Sequence, residues 1–163
     1  MENYRLLTVS KSGFLKKHYE FYEGEKLLYT AESKFWLQGY KVFAVLGNQI
    51  MDISKPFNLF KTIIKVRAGE SELATLTKKF TFMKSEIDIE TPMGNLYLEG
   101  NAWDTDFTII QEDEEIAKIS RKTFRSKNKY GIAVREDIDD KLIVGIIMGI
   151  EYIIQIKRAR SSG

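Results

Sequence analysis

A chain of 163 residues is long enough for one domain, 1–163, with a sizeable core, and too short for two ordinary ones. It has no cysteine and a single histidine, His18, which excludes disulfides, thiol catalysis, cysteine-based zinc or iron–sulfur centres and multi-histidine metal sites. With 25 Lys+Arg against 23 Asp+Glu the net charge is +2, which argues against strong global steering, and 44 % hydrophobic with 29 % charged residues describes a globular chain rather than a disordered one.

The first residues, Met-Glu-Asn-Tyr-Arg-Leu-Leu-Thr-Val, carry no long apolar run and no small-residue cleavage site, and neither end matches a lipidation motif. The expected location is therefore the cytoplasm, with a peripheral membrane position as the alternative.

From about residue 4 to 135 the chain reads as strands. Tyr4–Val9 opens the series. Tyr40–Val45 and Thr62–Val66 are rich in β-branched and aromatic residues. Glu86–Glu90 and Asn95–Glu99 alternate strictly between polar and apolar, which puts one face in a core and the other in water. Turn signals separate the runs at Glu23-Gly24-Glu25, Gly47-Asn48, Ala68-Gly69-Glu70, Met93-Gly94-Asn95 and Glu112-Asp113-Glu114. Five hairpins make ten strands, and Tyr4–Val9 with Tyr130–Val134 bring the number to about twelve. Antiparallel strands in that number remove their edges by closing on themselves. Glu72–Lys79 also matches Glu115–Lys122 in character at every position, and both follow a hairpin turn, as in a barrel of two similar halves.

The last segment differs. Leu142–Ile150 is continuously apolar, Asp137, Asp139 and Asp140 precede it, and Lys157, Arg158 and Arg160 follow. Acid before and base after complement a helix dipole, so a helix is expected over about 139–158. Glu151 interrupts the apolar run well short of the ~20 residues a membrane span needs. A helix apolar all round must then be wrapped by protein, and the strands before it are the available wrapping. Gly145 and Gly149 lie on one face, where small residues allow a barrel wall to approach closely. The expected architecture is all-β with one helix: a closed antiparallel barrel of about twelve strands enclosing a hydrophobic C-terminal α-helix.

Three stretches in order carry a family resemblance: Glu115–Lys122, then Phe124–Ile132, then Asp137–Lys141 leading into the apolar helix. The chain resembles the tubby C-terminal-like superfamily, which includes phospholipid scramblases and LURP-one-related proteins, most closely over residues 112–156 and also over 18–111. The resemblance implies a twelve-stranded barrel around a C-terminal helix. It brings in phosphoinositide binding from tubby proteins and calcium-dependent lipid movement from scramblases. Where scramblases carry aspartates proposed to bind calcium, this chain has Ser126 and Asn128 beside Lys127 and Lys129. Calcium requires several anionic oxygens, so calcium-triggered scrambling is disfavoured.

That same segment holds the candidate site for an anionic ligand or lipid: Arg121, Lys122, Arg125, Lys127 and Lys129, five cations with no acid among them. Lys157, Arg158 and Arg160 would add to it if the helix emerges nearby. The plainer alternative is a solvated loop balancing the acidic run 112–115 across a hairpin. Lys78 and Lys79 are the repeat partners of Arg121 and Lys122, but neighbours on a strand face opposite ways, so only one of each pair can share a surface.

His18 lacks the framing of a nucleophile system, and Asp104 with Asp106 read as a loop pair rather than a catalytic one. Phosphate-cradling glycine motifs are missing. The ten Phe, eight Tyr and two Trp are read as the core of a wide barrel rather than as a nucleic-acid platform. The expectation is a non-enzymatic scaffold without metal, cofactor or catalytic residue. Its partner would be an anionic phospholipid, a membrane surface or a protein, not nucleic acid. A scramblase-like lipid-active protein without the calcium-binding acids is the alternative.

Overall fold

The computed structural model describes residues 3–80, 85–100, 106–121 and 128–161. Twelve strands run in chain order: β1 (Tyr4–Ser12), β2 (His18–Glu23), β3 (Lys26–Ser33), β4 (Tyr40–Ala44), β5 (Gln49–Ser54), β6 (Thr62–Ala68), β7 (Ser71–Phe80), β8 (Ser85–Thr91), β9 (Gly94–Gly100), β10 (Phe107–Gln111), β11 (Glu114–Ser120) and β12 (Lys129–Arg135). Helix α1 (Asp140–Ser161) follows. Every strand pairs antiparallel with its chain neighbours, and β1 meets β12 from Tyr4 opposite Arg135 to Ser10 opposite Lys129, which closes the barrel. The expected fold is the observed one, and the helix extends to Ser161, three residues beyond the expected end.

The meander gives the barrel two unlike ends. One, the turn end, carries the short connections after β2, β4, β6, β8, β10 and β12. The turn between β10 and β11 places both Glu112 (φ 48°) and Asp113 (φ 64°) in the left-handed region, as a two-residue hairpin with right-twisted strands requires. At the other, the loop end, β1, β3, β5, β7, β9 and β11 finish, and its described connections include 13–17, 34–39 and 55–61. Helix α1 enters from the turn end, where the Asp139 carboxylate accepts from the Lys141 amide (2.9 Å) and Arg5 of β1 pairs with Asp140 and Glu23. It threads the lumen and leaves at the loop end.

Residues 142–154 of α1 are buried on all sides, and among the described residues no helix is long and apolar enough to cross a membrane. Inward strand positions such as Leu7, Val9, Val42, Ile53, Ile64, Leu76, Ile89, Ile109 and Ile132 meet it. The helix is off-axis, lying nearest to β4–β7. Its glycines explain this: β-carbons at Gly145 and Gly149 would stand 2.6 Å from Val66 Cγ1 and 2.9 Å from Leu76 Cδ2. The wall approaches there, and large side chains such as Tyr19, Phe21 and Tyr130 fill the wider side.

The expectation that the aromatic residues form the core holds for Tyr19, Phe21, Tyr40, Phe107, Tyr130 and Tyr152 and fails for a second group. The helix occupies the lumen, so most wall positions facing it take residues of Ile, Val or Ala size. Phe14, Phe35, Trp36, Phe57 and Phe60 are 76–88 % exposed because they lie in connections at the loop end rather than on inward wall positions. The structure also separates the described ends of two segments expected to balance one another. The acidic turn 112–115 lies at the turn end and Arg121 and Lys129 at the loop end, about 20 Å away along β11 at ~3.3 Å per residue. The acid is matched elsewhere: Glu114 accepts from Arg135 (3.1 Å), which also holds Asp137 (2.6 Å).

Candidate functional site

The loop end concentrates three features: exposed apolar side chains, cations, and a polar cluster let into the apolar lumen. The apolar side chains come from three successive connections. Phe14 and Leu15 stand between β1 and β2, Phe35, Trp36 and Leu37 between β3 and β4, and Phe57, Leu59 and Phe60 between β5 and β6. The middle one is strained. Trp36 (φ 53°) and Leu37 (φ 55°) are consecutive bulky residues in the left-handed region, a conformation costing on the order of 1–3 kcal/mol per residue. The surroundings impose it. The Tyr152 hydroxyl of α1 donates to the Leu37 carbonyl, and the Lys34 amide donates to the Gly39 carbonyl (2.7 Å). The result holds the Phe35 and Trp36 rings edge to face (5.4 Å between centroids) and out in solvent.

The polar cluster centres on Glu151, a buried carboxylate within the apolar stretch of α1. The Tyr19 hydroxyl donates to it at 2.7 Å, Arg121 at 3.0 Å, and Lys11 stands 3.6 Å away. Arg121 also lies over the Tyr130 ring at 5.1 Å, and one turn on, Gln155 accepts from the Tyr40 hydroxyl at 2.7 Å. Burial, reinforced by the Glu151 charge, pushes the phenols of Tyr19, Tyr40 and Tyr130 up from their ordinary value, so all three stay protonated, and Tyr19 and Tyr40 donate.

Between this cluster and the rim lies a cavity of about 190 Å³, lined by Lys11, Ser12, Gly13, Lys17, Tyr19, Tyr40, Asn128, Glu151, Ile154, Gln155 and Arg158. Gly13 shapes its wall: with φ 93° and a would-be β-carbon 2.0 Å from the Lys16 carbonyl oxygen, no other residue fits there.

Of the sequence-predicted cations, Arg121 turns inward to Glu151, and its main-chain amide donates to Asp106 (3.0 Å). Lys129 is exposed at the start of β12, on the loop end beside Lys11. Lys122, Arg125 and Lys127 lie outside the described residues, as does Asp104. The helix C-terminus does emerge at this end, so Arg158 reaches the cavity and Lys157 and Arg160 are near Lys78. Burial, and then those two like charges, hold the Lys78 ammonium below the ordinary lysine range. The repeat thus has a structural meaning: Ala74, Leu76 and Lys78 face inward on β7 as Ala117, Ile119 and Arg121 do on β11, and each copy ends in a cation at the mouth. Lys79 points outward, to Asp88 (2.6 Å). His18 faces Glu32 across β2 and β3 at 3.8 Å. Sequence reasoning missed Lys11, Lys17, Tyr19, Tyr40 and Gln155. The one signal available was Glu151, an acid amid an apolar helix, which asks for a buried partner.

The fold is a closed antiparallel barrel plugged by its own C-terminal helix, with its longer connections at one mouth. The family model for LURP-one-related proteins matches residues 5–151, and the chain belongs to that family. A solved X-ray structure of an Arabidopsis thaliana protein has the same fold, with a TM-score of 0.63 at 11 % identity, covering 94 % of this chain and 92 % of that one. Among curated proteins none matches the sequence significantly.

Proposed function

We propose that this protein is a non-enzymatic binding module of the cytoplasm that docks its loop end on an anionic membrane surface. One observation carries the reading: Phe14, Leu15, Phe35, Trp36, Phe57 and Phe60 are exposed on the same rim that bears Lys11, Lys17, Lys129 and Arg158. Aromatic side chains at headgroup depth and cations facing anionic lipid are the two complementary terms of interfacial binding. The cations contribute about 1 kcal/mol each near the surface. The strain held in Trp36 and Leu37 fits a segment whose rings serve a contact outside the molecule. The buried helix favours docking over the scramblase-like alternative, because its apolar residues are already committed to the core.

Co-sedimentation with vesicles of phosphatidylcholine alone, and of phosphatidylcholine mixed with phosphatidylserine, tests this. The protein is expected to pellet with the mixed vesicles, less so at high salt, and Trp36→Ser is expected to weaken binding several-fold without altering the thermal unfolding midpoint by more than a few degrees. Equal pelleting with both vesicle types, or none with either, would refute it.

A further inference from the structure

We propose, independently of membrane docking, that the cavity at the loop end binds a small organic oxyanion: a phosphate or carboxylate group carried on a short apolar body. The cavity follows from the off-axis helix. The glycine face of α1 presses toward Val66 and Leu76, and the space opens on the far side, against β1 and β2. Its roughly 190 Å³ has room for on the order of six waters at ~30 Å³ each, enough for a small ligand rather than a lone ion.

The chemistry of the walls selects the ligand. Donors dominate. Lys11, Lys17 and Arg158 are cationic, and because the Gln155 side-chain oxygen is taken by Tyr40, its amide nitrogen is left to donate. The one carboxylate, Glu151, is already met by Tyr19 and Arg121 at hydrogen-bond distance. Lys11 pairs with it as an ion pair at 3.6 Å, longer than a hydrogen bond, and also lines the cavity. A site rich in donors and poor in open acceptors, with net positive charge in a partly desolvated recess, suits an oxyanion held by charge-assisted hydrogen bonds. Ile154 and the rings of Tyr19 and Tyr40 supply an apolar wall for the body of the ligand.

The test is an NMR titration of the full chain at constant ionic strength with phenyl phosphate, benzoate and benzyl alcohol. Saturable shifts with either anion, centred on Lys17, Ile154 and Gln155, are expected, with none from the neutral alcohol. Lys17→Gln and Arg158→Gln should each weaken phenyl phosphate about tenfold, as expected for losing a hydrogen bond to a charged group. Trp36→Ser should leave it unchanged, which separates this site from the docking rim. A short-chain soluble phosphatidate distinguishes the carriers. Tighter binding than phenyl phosphate marks a lipid headgroup and equal binding marks a free metabolite, and both support the site. Shifts scattered over the barrel, equal binding of the alcohol, or unchanged affinity in both variants would overturn it.

Discussion

Glu151 is costly where it sits: a carboxylate inside an apolar helix requires partners, and leaving it unpaired would cost several kcal/mol. Its neighbours are phenols as much as cations, and this has a consequence at high pH. In the unfolded chain Tyr19, Tyr40 and Tyr130 ionise near the ordinary value of 10.0, whereas in the barrel burial, and then the Glu151 charge, hold them protonated well above it. The stability they contribute is complete below about pH 10. It falls as the pH rises beyond that, because the unfolded state releases protons that the native state keeps. Tyrosinate absorbance followed beside far-ultraviolet circular dichroism should therefore show two groups of tyrosines. The exposed ones ionise first, and the buried four, Tyr19, Tyr40, Tyr130 and Tyr152, ionise only as the strand signal is lost. Tyr40→Phe should shrink the second step by about a quarter. A single ionisation step near pH 10 with the strand signal intact would contradict the cluster. Little of this was legible beforehand, since the partners of Glu151 lie 30 and 132 residues away in sequence and local pattern carries no information about such pairs.

Helix α1 and the wall it touches form the next scale. Gly145 and Gly149 weaken the helix by about 1 kcal/mol each relative to alanine, and their place in it is justified by contact. At Gly145 a β-carbon would come within 2.6 Å of Val66 Cγ1 and 3.3 Å of Met51 Sδ. Valine has a stiff χ1 and cannot swing aside. At Gly149 the contact is with the branch end of Leu76, at 2.9 Å and 3.1 Å, which has a further torsion to adjust. Overpacking of this kind costs about 1–3 kcal/mol against a propensity gain of about 1. Gly145→Ala is thus expected to lose about 1–2 kcal/mol in denaturant unfolding, and Gly149→Ala to lie within about 1 kcal/mol of the parent. Combining Gly145→Ala with Val66→Ala should recover much of the loss. A loss that persists undiminished in the double variant would place its cause elsewhere. Element by element, the strands were readable because alternation and glycine turns are local signals. Which loops share an end followed only once the meander closed, and the exposure of Phe14, Phe35 and Trp36 followed only from their place in those connections.

At the scale of the whole molecule, a chain without cysteine, and so without disulfides, relies on its core, and here the core is an inserted element. Residues Leu142 to Ile156 contribute eleven buried apolar side chains, worth on the order of 20 kcal/mol at ~2 kcal/mol each, an upper estimate. That exceeds the 5–15 kcal/mol by which a typical domain is stable. The wall cannot collapse to refill the space, because its twelve strands are hydrogen-bonded into a ring whose circumference is fixed by strand number. Two outcomes follow from the same figures. A chain ending at Asp139 should fail to form a cooperative barrel, binding a hydrophobic dye and lacking a sigmoidal unfolding transition, where the full chain shows one. And expulsion of α1 into a bilayer would have to offset a loss larger than the stability of the fold, which argues against the helix as a membrane-inserting element. Retention of a sharp unfolding transition by the truncated chain would show that the strands hold themselves up, and would return the helix to consideration as a movable element.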